Sequence, residues 1–140
     1  MKTILPLIAV GFLWLISFLH MYWAFGGRWG SAAVIPVREG EHKPAFTPRK
    51  WGTLCVAILI LFASSIIVVQ GDYLQGFQAN SLSKIGSIVC AIVFIIRGIG
   101  DFKYVGLFKK IKHSQFASYD TWIYSPLCLF FGFVYILLLL

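Results

Sequence analysis

The sequence predicts an all-α integral membrane protein, with four transmembrane helices in one bundle. Four continuous apolar runs, at about 4–25, 51–70, 82–100 and 121–140, punctuate the 140 residues. Charged residues make up only 12% of the chain and hydrophobic residues 59%, whereas a soluble domain needs about 25% charged side chains to coat itself. Nine of the twelve basic residues also fall in two of the connecting loops.

At about 1.5 Å rise per residue, runs of about 20 residues cross a hydrocarbon core of about 30 Å. They are continuously apolar and not alternating, which excludes barrel strands. The first run opens behind Met1 and Lys2 and ends in Tyr22, Trp23, Ala24 and Phe25. It is too long for a signal-peptide core and carries no small-residue cleavage pattern, so it is expected to be retained. Thr47 followed by Pro48 reads as an N-cap and first helical position for the second run, and Gly71 as its C-terminal stop. Asn80 or Ser81 is expected to cap the third run and Asp120 the fourth. One four-helix domain accounts for residues 1–140.

Loop one carries Arg28, Arg38, Lys43, Arg49 and Lys50, and loop three carries Lys103, Lys109, Lys110 and Lys112; the other side has Lys2 and Lys84. The positive-inside rule then places loops one and three in the cytoplasm and both termini outside. The formal charge of +7 is thereby read as topology and as attraction to anionic phospholipids. Nothing in the chain resembles a nucleic-acid-binding module. Aromatic residues at 17% suit wide interfacial belts, and Trp23 and Trp29 read first as interfacial anchors.

Polar groups inside a bilayer are costly, which makes them site candidates. They gather at one end. His20 lies roughly 7 Å inside the end of the first run. Arg97 sits one turn inside the end of the third, and Asp101 follows at i+4, the spacing of an intrahelical ion pair. Asp120, Tyr124, Ser125 and Pro126 open the fourth, and Pro126 leaves the Trp122 carbonyl without its donor. The glycines at 26, 27 and 30 around Arg28 permit a tight turn or close approach to a ligand, but the spacing is not that of a phosphate-binding loop. The ligand-binding candidates are thus His20, Trp23, Arg28, Trp29, Arg97, Asp101, Tyr104, Asp120 and Tyr124. Lys109, Lys110 and Lys112 are expected to contact lipid headgroups.

No catalytic set, metal site or cofactor is expected. Cys55, Cys90 and Cys128 lie in separate runs with no close pair, and read as small buried hydrophobes. A single intramembrane histidine does not supply paired haem ligands, and His42 and His113 have no zinc spacing.

Three stretches and their neighbours resemble a family of small bacterial membrane proteins, the domain of unknown function 3995. They are HMYWAFGGRWG at 20–30, RGIGDFKYVG at 97–106, and Phe116 with Ala117 followed by Asp120 and YSPLC at 124–128. The resemblance implies a multi-pass protein of the bacterial cytoplasmic (inner) membrane and a four-helix unit. It implies no reaction.

Three function classes remain. The first is a module that binds a lipid, an amphipathic molecule or a small anion at the cytoplasmic leaflet, or that moves a solute as a homo-oligomer. The second is a small enzyme acting on a lipid-linked substrate, with His20 as the base. The third is a structural or accessory subunit, in which the polar cluster only sets helix register.

Overall fold

A bilayer offers no hydrogen bonds, so each spanning segment must satisfy its own backbone, and helices do that. The computed structural model describes residues 3–140 and is helical throughout, with four helices long and apolar enough to cross a membrane. Lys2, which the charge asymmetry counts, lies outside the described residues. Among those residues no strand forms, and β pairing is confined to the isolated bridges Val37 with Pro44 and Leu74 with Phe77.

Helix α1 is Ile4–Ala24. Pro6 sits in its first turn, where an absent N–H has no intrahelical partner to miss. The short α2, Ser31–Val34, lies within loop one. Helix α3 is Lys50–Gln70. It starts beyond the expected Thr47 and Pro48, with Arg49 extended in the cap position and no side-chain cap. Gly71 ends it, as expected. Helix α4 is Ser81–Ile99, opened by a reciprocal capping box between Asn80 and Ser83.

The fourth spanning helix differs most from expectation. It covers Gln115–Leu139 as α5 (Gln115–Tyr119), a π turn (Asp120–Tyr124) and α6 (Ser125–Leu139). Ser114 is its cap, accepting from the Ala117 N–H at 3.0 Å, so Asp120 lies inside the helix and does not cap it. Pro126 explains the π turn: with no N–H to give the Trp122 carbonyl, the ladder widens by one residue just before it, and Ser125 N–H bonds the Asp120 carbonyl.

The helices pair chiefly as α1 with α3 and α4 with α6. Both pairs are antiparallel. Ser17 Oγ donates to the Ala57 carbonyl at 2.8 Å, while Trp14 Nε1 donates to Ser64 Oγ at 3.0 Å. Gly98 lies on Leu129 and Ser125, and Gly132 lies on Ile95 and Ala91. A Cβ on Gly98 would stand 2.6 Å from Leu129 Cδ2, and one on Gly132 would stand 2.7 Å from Ile95 Cγ1. Small residues therefore set the α4–α6 approach, as in membrane bundles generally. Tyr135 Oη, buried, donates 2.7 Å to the Ala63 carbonyl and ties the two pairs together. Phe94 packs between Phe131 and Tyr135, closing the bundle's middle with rings.

Candidate functional site

The last turn of α4, loop three and the π turn build one buried polar cluster around Asp120, which is 0% exposed. Asp120 Oδ1 accepts from Arg97 Nη2 at 3.0 Å and from Ser125 Oγ at 3.2 Å. Its Oδ2 accepts from the Gly106 N–H at 2.7 Å and lies 3.3 Å from Lys109 Nζ. Lys109 Nζ also donates to the Gly106 carbonyl at 3.0 Å and to Thr121 Oγ1. A buried charge persists only when it is paired and hydrogen-bonded, and here both carboxylate oxygens are fully engaged.

Loop three reaches Asp120 because its backbone is folded tightly. Helix α4 stops at Ile99, and Gly100 turns the chain with φ +92°. Gly106, at φ +93°, packs directly on Gly100, where a Cβ would stand 2.3 Å from the Gly100 Cα. Only glycine fits both positions. The Leu107 N–H returns to the Gly98 carbonyl at 3.1 Å, which brings the Gly106 N–H and Lys109 over the π turn.

Two sequence expectations are corrected here. Asp101 does not pair with Arg97, because the helix ends before it and the i+4 relation is lost. Its Oδ1 accepts instead from the N–H groups of Lys103, Tyr104 and Val105 at 2.9, 2.8 and 3.0 Å. Burial pushes the Asp101 carboxyl up, but the N–H groups of Val105, Lys103 and Tyr104 outweigh it and hold the group below its ordinary value. Lys109 is the second correction: at 2% exposure it turns inward to Asp120 and away from any headgroup. Lys110 and Lys112 remain exposed.

The other candidates stand apart from the cluster. His20 Nδ1 lies 2.8 Å from the Ile16 carbonyl, and its ring meets Trp23 edge-on at 5.4 Å. A carbonyl only accepts, so Nδ1 carries the proton there. Trp23 Nε1 donates to the Trp29 carbonyl at 2.8 Å, and the Trp29 N–H reaches Tyr22 Oη at 3.4 Å, so this part of loop one is a self-bonded turn. Arg28 and Trp29 are exposed. Tyr104 is half-buried, with Lys103 Nζ 5.1 Å over its ring. Tyr124 links the regions: its Oη donates 3.0 Å to the Ala33 carbonyl of α2 and fastens loop one to the fourth helix.

The site therefore unites Arg97 and Asp120 from the candidate set and adds Lys109, Gly106, Thr121 and Ser125. The glycines at 100 and 106 and the proline at 126 were its available signals. Arg97 is the partly exposed member. Its side chain is 34% exposed, and one nitrogen, Nη1, is buried with no hydrogen-bond partner. With Arg97 and Lys109 set against one carboxylate, the cluster holds one positive charge more than it neutralises.

Comparison with curated proteins and with solved structures gives no match. The family described as protein of unknown function (DUF3995) matches residues 13–135, from the middle of α1 to near the end of α6. On that match the chain, a four-helix multi-pass membrane protein, belongs to this family of unknown function.

Proposed function

We propose that the protein is a non-enzymatic membrane module that holds an anionic headgroup at the leaflet bordered by loops one and three, with Arg97 as the contact. The observation carrying this reading is the Arg97 side chain, 34% exposed at the end of α4 although Nη2 is committed to the buried Asp120, with Nη1 left without a protein partner beneath that exposed part. A guanidinium placed at a helix end and half paired is suited to a phosphate oxygen. The basic content of both loops adds long-range attraction to anionic lipid. On the charge asymmetry, this leaflet is the cytoplasmic one of a bacterial inner membrane, with both termini outside.

What speaks against an enzyme is the saturation of Asp120 and the separation of His20 from it: among the described residues no hydrogen bond or ion pair joins His20 to Arg97, Asp101 or Asp120. The ring-packed middle of the bundle speaks against a solute path within one protomer.

The test is native mass spectrometry of delipidated protein offered phosphatidylglycerol and phosphatidylcholine together. The expected result is preferential retention of phosphatidylglycerol, lost in Arg97→Gln. Equal retention of the two lipids, or unchanged preference in Arg97→Gln, overturns the reading.

A further inference from the structure

Loop three carries an apolar face that the cluster beneath it does not explain. Phe102 and Phe108 are 58% and 63% exposed, and their ring centroids lie 6.3 Å apart although six positions separate them. Leu107 is exposed beside them. The loop is not free to hide these side chains. Asp120 pins Gly106 and Lys109 on either side of Leu107 and Phe108. The Asp101 carboxylate grips the three N–H groups that follow Phe102. The Lys103 carbonyl accepts from the N–H groups of Lys110 and Ile111 at 3.1 and 3.0 Å, which closes the loop on itself. Phe102 is held at φ +62°, a left-handed conformation that costs a non-glycine residue energy and persists only when its surroundings impose it.

The rim of this face is cationic. Lys103 and Lys110 are exposed and are drawn together by the same backbone bonds. The nearby acids are already used: Asp101 by the loop's own backbone and Asp120 by Arg97 and Lys109. The loop joins the ends of two spanning helices and folds back on Gly98, inside the last turn of α4. It therefore lies at the level where the hydrocarbon meets the headgroups.

We infer that loop three is a rigid wedge seated in the interfacial zone of an anionic bilayer, with Phe102, Leu107 and Phe108 in the acyl boundary and Lys103 and Lys110 on lipid phosphates. Aromatic side chains favour that zone, and lysines beside them add attraction to anionic headgroups. This inference is independent of Arg97 and stands or falls separately from the proposed function.

The test uses the full chain in vesicles whose lipid is brominated on the upper acyl chain. Phe108→Trp and His113→Trp each add one tryptophan to the five native ones, and His113 is an exposed residue of the same loop. The added emission of Phe108→Trp is expected to be blue-shifted and strongly quenched by the bromines, that of His113→Trp weakly. Replacing both Lys103 and Lys110 by Gln is expected to reduce the Phe108→Trp quenching in phosphatidylglycerol vesicles and to leave it unchanged in phosphatidylcholine. Equal, weak quenching at both positions overturns the wedge, because the loop then faces water. A Phe108→Trp signal set by protein density and not by bromolipid also overturns it, in favour of contact between copies. Indifference to the lysine substitutions in both lipids overturns the phosphate contacts.

Discussion

The two ends of the bundle solve the same problem differently. At the end formed by loop two, the connection 71–80 between α3 and α4, polar groups satisfy the backbone locally. The Asp72 carboxylate accepts from the Ala79 N–H at 2.7 Å, Asn80 and Ser83 cap each other, and Gln70 Oε1 accepts from Ser83 Oγ at 2.7 Å. The Asn80–Ser83 and Asp72–Ala79 contacts lie within one short connection, only the Ser83–Gln70 contact joins the two helices, and an open cleft of about 470 Å³ lies at Asp72 and Ala79. At the loop-three end a single carboxylate is buried, with hydrogen-bond donors from positions 97, 106 and 125 and an ion-pair partner from position 109. Local capping tolerates loss of one partner because water replaces it. A buried carboxylate does not, because each lost partner leaves a charge with nothing to meet it. The loop-three end should therefore fail cooperatively, and the loop-two end by increments.

The sharpest way to break that contrast is Asp120→Ala. It strands the buried Lys109 ammonium and is expected to cost about 3–5 kcal/mol, read as a large fall in thermal midpoint in detergent. Adding Lys109→Met to it should recover part of the loss, since the stranded cation is then gone. If Asp120→Ala costs no more than a cap substitution, the cluster is not cooperative.

Gly100→Ala comes next. Its φ is +92° and its Cβ would meet the Val105 carbonyl oxygen, so we expect a loss of about 1–3 kcal/mol together with protease sensitivity between residues 100 and 114. An intact, resistant loop three would remove the claim that it is rigid. Asn80→Ala at the other end should cost only about 1 kcal/mol, with limited proteolysis of loop three unchanged.

The smallest effect concerns acid. The Asp101 carboxyl is held below its ordinary value of about 4. Its contribution is thus complete above that value and disappears as pH falls through the lower, folded-state value. Wild-type protein should lose a little stability over that acid window, and Asp101→Asn should show a flatter profile there. A midpoint for Asp101→Asn that follows the wild-type curve through the same window would show that the turn does not depend on the charge.

Much of this was legible in the residues themselves. Asn80 or Ser81 is legible as the cap of the third run, the structure choosing Asn80 through its box with Ser83, and Gly71 is legible as a stop because an apolar run ends there. Arg97 and Asp120 stood out because ions are expensive at membrane depth. Misreadings came where the chain turns back on itself. Asp101 was paired with Arg97 by assuming the helix continued, whereas Gly100 ends it. Lys109 was grouped with Lys110 and Lys112 as one basic run, although only Lys109 lies over the buried carboxylate. Asp120 resembled a cap because the apolar stretch begins after it, yet Ser114 starts the helix earlier.

Composition and the length of the apolar runs, with no further information, determined that this chain crosses a membrane four times as helices, because lipid cannot satisfy a backbone and only a run of sufficient length reaches across. Which charges meet was decided by tertiary structure. Pairing in a buried site depends on close approach between segments, and that approach is set by two glycines folded on each other and a proline-induced π turn. Spacing along the chain does not contain that information.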